Sequence, residues 1–272
     1  MLVRVTFDTG LSDSLSEDDR WELVNAVEAY VGSLRKYGHI HRGYSDGWRA
    51  GSLDYYVNPT AENALVTSSY SEPVQRDLER LYELFKIAPE FTELGKSDSV
   101  ATTDWQSSKS LYLFTHAFAN GNAVKCGDTG KPVPAYALPI PTGLREAIYF
   151  WESEYRAFDR IWIASGALEM EAYRQVAEPT SKLSETGRDI CSQVEASTNT
   201  PTFYYLMRYY GRTEESSRPC PICGGDWRTG EASDSTEFHE FYFRCEPCRV
   251  VANLCSTVEE DEENAEIGEQ AR

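Results

Sequence analysis

Apolar and polar positions alternate at the start of the chain, where Val3, Val5 and Phe7 are interleaved with Arg4 and Thr6. A period of two belongs to a strand with one buried face, and Asp8-Thr9-Gly10 breaks it. The period then lengthens to that of a helix. Trp21, Val24, Val27, Tyr30, Val31 and Leu34 fall on one stripe, with Ser14 and Ser16 as candidate caps and Gly38 as the stop. Strand-like runs at 53–57 and 65–70 flank the turn-forming Asn58-Pro59. A second helix, from Ser71 to just before Pro89, carries Val74, Leu78, Leu81 and Phe85, and a further strand is expected at 110–116 after an irregular stretch at 88–109. The order strand, helix, strand, strand, helix, strand predicts a ferredoxin-like split βαβ domain over residues 1–120.

Residues 121–198 read as a connector followed by a helical segment. Leu144, Ile148, Trp151, Tyr155, Phe158 and Trp162 recur at helical spacing up to Gly166. Shorter helices follow at 167–177 and 181–197, the second presenting Leu183, Gly187, Ile190 and Val194; a glycine on that face predicts a close helix contact. An aromatic strand at 203–210 opens the segment 199–256, whose remainder is a zinc ribbon. The expected fold class is therefore α+β, with a ferredoxin-like N-terminal unit, a helical middle and a C-terminal ribbon.

The ribbon rests on Cys220-Pro-Ile-Cys223 and Cys245-Glu-Pro-Cys248, with 21 residues between the pairs. A two-residue gap lets the chain fold into a knuckle that points both sulfurs at one ion, and two knuckles complete a tetrahedron. Gly224-Gly225 can supply the positive φ needed to leave the first knuckle. Trp227-Arg228 and residues 238–243 read as a hairpin with 229–236 as its loop. Four thiolates fill the coordination sphere, so one structural Zn²⁺ is the expected cofactor; an iron centre of rubredoxin type shares this geometry. A thioredoxin-like redox pair would need a βαβ context and only one CxxC.

Composition then changes the picture of partners. The 272-residue chain carries a formal net charge of −18, and residues 213–258 hold eight acids against four arginines. Such a surface repels phosphate backbones and attracts basic proteins. Arg244, Arg249 and Arg228, with Trp227 as a stacking ring, are the candidate nucleic-acid contacts. Seven further acids crowd 259–272, so residues 257–272 are expected to be a disordered acidic tail. Seven cysteines, an odd number with four paired as CxxC, together with the lack of a signal peptide or apolar span, predict a cytoplasmic protein without membrane contact. Cys191 and Cys255 read as packing residues.

The segments Pro201-Thr-Phe-Tyr-Tyr-Leu-Met-Arg-Tyr-Tyr210, Arg218-Pro-Cys-Pro-Ile-Cys-Gly-Gly-Asp-Trp227 and Phe243-Arg-Cys-Glu-Pro-Cys-Arg-Val-Val-Ala-Asn253 resemble a bacterial family of zinc-ribbon-containing proteins. The likeness extends upstream to Cys126-Gly-Asp-Thr-Gly-Lys-Pro-Val-Pro-Ala-Tyr136 and so covers at least the C-terminal half. It implies a ribbon and a nucleic-acid-binding role. Cys126-Gly-Asp-Thr-Gly itself reads as a tight turn between short strands, or as a knuckle that has lost its second cysteine.

Enzyme constellations are weaker. Asp8-Thr9-Gly10 and Asp128-Thr129-Gly130 match the paired motif of aspartic proteases, but in a helix-rich chain they read as two turns. His39-Ile-His41 could place two imidazoles on one strand face and reads as a surface strand end. Tyr204, Tyr205, Arg208 and Arg188 are the one polar-aromatic cluster that could line a cleft. The expectation is a non-enzymatic ribbon protein that binds nucleic acid, or else an acidic inhibitor- or immunity-type module in which the ribbon is a structural staple.

Overall fold

The computed structural model describes residues 1–9, 16–49, 51–96, 101–119, 121–229, 241–258 and 262–269. It is a mixed α+β protein whose chain divides into two compact units. The first comprises residues 1–102, 120–122 and 134–146; the second comprises the remainder.

In the first unit β1 (Leu2–Asp8) is followed by α1 (Glu17–Lys36), β2 (Ser45–Arg49), β3 (Ser52–Val57), α2 (Glu72–Phe85) and β4 (Glu90–Gly95). The sheet order is β2-β3-β1-β4, with every neighbouring pair antiparallel. The inward faces meet as expected from the alternation: Phe7 makes edge contacts with Tyr30 of α1 and Tyr55 of β3. Ser16 caps α1 by accepting the Asp19 N–H at 3.1 Å, and Gly38, at φ +84°, lies against Ala135 so closely that a Cβ would sit 2.7 Å from its methyl.

Three expectations need correcting here. Residues 65–70 are not a strand; they enter a short 3₁₀ turn at Thr67–Ser69, leaving Val66 half exposed. The fourth strand of this sheet is β4, inside the stretch read as irregular, whereas residues 110–116 belong to the other unit. Trp21 faces solvent, 66% exposed, with Arg20 over Trp48 nearby, and Leu23 takes the core position.

The second unit is built on a five-stranded sheet of order β6-β5-β7-β10-β9, from β5 (Leu111–Leu113), β6 (Val124–Cys126), β7 (Thr202–Tyr205), β9 (Phe243–Cys245) and β10 (Val250–Ala252). Strand β7 pairs in parallel with β5 on one side and β10 on the other. The aromatic run at 203–210 is thus not one strand; it breaks after Tyr205, and β8 (Tyr210–Gly211) pairs separately with β11 (Thr257–Val258). Helices α3 (Thr142–Ile163), α4 (Glu169–Ala177) and α5 (Lys182–Thr198) follow the spacing read from the sequence. Gly187 on α5 faces the Tyr204 ring, and an added Cβ would lie 2.2 Å from that ring and 2.8 Å from Trp151 Nε1. Trp151 is itself fixed, because its Nε1–H donates to the Leu183 carbonyl at 3.1 Å.

The acidic C-terminal stretch also departs from expectation. Residues 262–269 form helix α6 (Glu262–Glu266) and a turn that buries Ala265 and Ile267. The cause is Arg208, whose side chain is 1% exposed. Its Nε and Nη2 donate to the two carboxylate oxygens of Glu215 at 2.8 and 3.0 Å, Nη2 also reaches the Ala265 carbonyl at 3.0 Å, and Nη1 donates to the Ile267 carbonyl. A buried guanidinium has five N–H groups to satisfy, and the turn supplies the acceptors that side chains do not. Arg218 Nε lies 2.8 Å from the same Glu215, so one carboxylate serves two buried cations.

Burial opposes ionisation of Glu215, but Arg208 and Arg218 outweigh it and hold the carboxyl below its ordinary value. A depressed folded-state pKa stabilises the fold above the unfolded-state value, and that stabilisation is lost as pH falls through the folded-state value. Glu215→Ala is expected to cost about 3–5 kcal/mol, because it leaves two buried cations uncompensated. Urea melts at neutral and acid pH will show the variant's deficit shrinking on acidification. Gly187→Ala is expected to cost about 1–3 kcal/mol by overpacking, with no such pH dependence.

Candidate metal centre

Four sulfurs converge where the first knuckle turns against the hairpin of β9 and β10. In that knuckle the Gly224 N–H donates to the Cys220 carbonyl at 2.8 Å and the Cys220 N–H to the Gly225 carbonyl at 2.9 Å. Gly224 adopts φ +73°, the conformation expected of the glycine leaving the knuckle. In the second, Cys245 ends β9, Arg249 turns the chain at φ +52°, and Val250 pairs back with Cys245. The sulfurs of Cys220, Cys223, Cys245 and Cys248 all lie within 4.8 Å of one another, and those of Cys223 and Cys245 are 3.7 Å apart. Metal–sulfur bonds of about 2.3 Å in a tetrahedron place sulfurs about 3.8 Å apart, so the cluster has the size and donor set for one metal ion. Among the described residues it is the one group of three or more His, Cys, Asp or Glu side chains close enough to share an ion.

Hydrogen bonding from the Gly225 backbone, more than any other influence, lowers the Cys223 thiol to about 7, while burial raises Cys245 to about 11. Cys220 and Cys245 are buried and Cys223 is exposed, so the centre opens toward solvent on one side. Behind it Trp227 stacks on Phe243 with ring centroids 4.8 Å apart, and the Arg218 guanidinium lies 4.8 Å from each ring. The expected pairing of the 227–228 segment with the end of 238–243 is present as an Arg228–Phe243 bridge; residues 230–240, which hold the expected loop and the start of its return strand, lie outside the described residues.

The candidate nucleic-acid contacts are placed as follows. Trp227 is 2% exposed and donates its indole N–H to the Arg218 carbonyl at 2.9 Å, so its ring faces are not offered to a base. Arg249 forms a forked pair with Glu195, Nε to Oε2 at 2.9 Å and Nη2 to Oε1 at 3.0 Å, and a second pair with Glu246 at 2.7 Å. Arg249 correspondingly holds Glu195 below the ordinary carboxylate range. Arg244 pairs with Glu246 at 2.6 Å and lies 4.2 Å from the Phe203 ring. Arg228 donates to the Ser216 carbonyl at 3.3 Å and is exposed.

The remaining constellations do not assemble. His39 is fully buried rather than at the surface; its Nδ1 is 2.8 Å from the Ala64 carbonyl, its ring stacks on Tyr136, and burial lowers it to about 4, which keeps it neutral. Asp128 accepts the Lys109 N–H at 2.7 Å and the Gly130 N–H closes a turn on the Cys126 carbonyl, so this motif is a tight turn that leaves β6 and returns through a single Lys125–Pro132 bridge, not a second strand; Gly10 lies outside the described residues. Tyr204, Tyr205, Arg208 and Arg188 have separate partners, in Ser184, Asn253, Glu215 and the Pro179 carbonyl; Tyr205 and Arg208 border one cavity, and Tyr204 and Arg188 do not line it. Cys191 is a buried packing residue whose thiol is pushed up by burial.

Residues 105–207 match the family model described as a domain of unknown function, DUF2310, and residues 211–258 match a second, DUF8594. The four-cysteine cluster falls in the second match. Two proteins of Haemophilus influenzae, each named "Uncharacterized protein", are similar to the chain. One is 27% identical over 199 residues, covering 72% of this chain and 72% of the relative. The other is 32% identical over 145 residues, covering 52% of this chain and 70% of the relative. The chain belongs to the DUF2310/DUF8594 family represented by these proteins. Among the described residues no helix is long and apolar enough to cross a membrane.

Metal analysis of purified protein is expected to give close to one equivalent of zinc per chain. Cys220→Ser combined with Cys245→Ser is expected to lose it and to lower stability by at least about 3 kcal/mol. A folded, metal-free wild type refutes the assignment.

Proposed function

We propose that the chain is a non-enzymatic, zinc-stapled interaction module whose acidic surface engages a basic protein. The observation that carries this reading is the position of β10, which lies inside the five-stranded sheet between β7 and β9. A ribbon whose strand is a member of the central sheet serves the fold first. Bound there, zinc supplies a four-bond cross-link with no open position for water or substrate. The net charge of −18 favours basic partners, and the carboxylates facing Arg244 and Arg249 lower the positive potential that a phosphate backbone would seek.

The order β2-β3-β1-β4 with antiparallel neighbours supports reading the first unit as a ferredoxin-like split βαβ arrangement. Nucleic-acid binding is the second reading. It is favoured by the resemblance of the ribbon segments and by exposed Arg228, which has no carboxylate partner among the described residues.

Titration of single-stranded RNA and duplex DNA at low and moderate salt separates the two. The interaction-module reading expects no retention at either salt. Salt-sensitive binding that weakens in Arg228→Ala reverses the preference. For the protein partner, a cationic protein such as a histone is expected to associate at low salt and an acidic one is not; equal association with both removes the charge argument.

A further inference from the structure

In the second unit a cavity of about 360 Å³ opens between α3, the segment after β5, the end of β7 with the residues that follow it, and Asn253 and Ser256 beyond β10. Its walls are aromatic: Phe114, Phe118, Tyr155, Trp162 and Tyr205 all line it. The acidic residue among them is Asp159, 3% exposed. Its Oδ2 accepts the Ala117 N–H at 2.6 Å, and its Oδ1 accepts no hydrogen bond from any described residue. We propose that this cavity binds a primary ammonium group carried on a small apolar body, with Oδ1 of Asp159 as the charge partner and the rings as the walls.

The chemistry follows from what surrounds that carboxylate. A buried carboxylate is costly to leave unpaired, and among the described residues no cation pairs with it. Arg208 lines the cavity too, but its guanidinium is turned into Glu215 and the carbonyls of Ala265 and Ile267. Arg156, one turn earlier on α3, pairs with Glu152 at 2.7 Å and with Thr115 Oγ1 at 3.1 Å. His116 is at the exposed side, where its Nδ1 accepts the Phe118 N–H at 3.3 Å. Tyr155 and Tyr205 are pushed up, first by burial and then by neighbouring phenols and Asp159, so both phenols are neutral and add no second anion.

The faces of such rings attract cations, and an ammonium brings three N–H donors to an oxygen that has none. Ca²⁺ or Mg²⁺ is a poor fit, since each needs about six or more oxygens and one carboxylate faces the space. An anion would meet Asp159 and the negative ring faces. A purely apolar guest would leave the carboxylate unpaired. The volume lies at the lower end of the range of about 300–1,000 Å³ seen for small-molecule pockets.

The test is a calorimetric titration of the whole 272-residue chain, zinc-loaded, with two amines of different shape, phenethylamine and n-hexylamine, against 2-phenylethanol and phenylacetate. The expected result is that at least one amine binds about tenfold or more tighter than the alcohol, and that phenylacetate does not bind. Asp159→Asn, checked by its melting curve, is expected to bring the amine down to the alcohol's affinity, and Trp162→Leu to weaken both. Failure of both amines to bind at millimolar concentration overturns the proposal, as does equal affinity for amine and alcohol. An undiminished amine affinity in Asp159→Asn does the same. If Asp159→Asn does not fold, the charge series on the wild type decides alone. None of these readouts depends on whether the acidic surface recruits a protein.

Discussion

A parallel pairing of two short strands holds the second unit together. β7 and β10 are far apart in sequence, yet the Tyr204 N–H donates to the Arg249 carbonyl at 2.8 Å and the Leu206 N–H to the Val251 carbonyl at 2.9 Å. Parallel strands need a long connection and gain slightly less per residue than antiparallel ones, so so brief a pairing needs support from outside itself. Two supports are visible. The four cysteines bring the hairpin of β9 and β10 against the first knuckle, where a shared metal ion would cross-link them, and the forked Arg249–Glu195 pair ties the turn of that hairpin to α5. The DUF2310 match ends within two residues of β7 and the DUF8594 match contains β10, so the two matched stretches complete one sheet between them.

What was legible in the sequence was what is local. The cysteine knuckles need four residues each to declare themselves, and the stripe from Leu144 to Tyr155 on α3 needs little more. In the sheet of the first unit β1 and β3 were legible and β2 and β4 were not, and the reason is exposure. β2 and β4 are the two edges of that sheet, and neither contains a single buried residue, so no alternation marks them. The run at 65–70 looked like a strand because it has apolar residues, but Ala64 and Tyr70 bury themselves from a turn. Asp159 did carry a signal, since it falls four residues after Tyr155 and three before Trp162, on the apolar stripe itself. An acid in that position is buried by the helix period, and only the structure shows that no cation among the described residues meets it.

The acidity of the chain also takes on a different meaning inside the structure. Composition treats acids as surface charge, and on that basis the ribbon's arginines are outnumbered. The structure shows several of those acids in specific positions: Glu195 and Glu246 on Arg249, Glu246 on Arg244, and Glu215 between Arg208 and Arg218. Trp227, the ring most suited to stacking on a base, is instead packed between Phe243 and the protein interior, with Arg218 across its face. Residues that a linear count assigns to recognition thus maintain the packing that holds the metal centre.

The clasp around Arg208 imposes an order of events on synthesis. Arg208 leaves the ribosome next to the strand that organises the second sheet, but the carbonyls of Ala265 and Ile267 that complete its coordination are made almost sixty residues later. Until then a guanidinium destined for the interior has only Glu215 to share with Arg218 and is better left in water. The second unit is therefore a latch that closes from its far end, because the buried guanidinium gains its last acceptors only when residues 265–267 have been made.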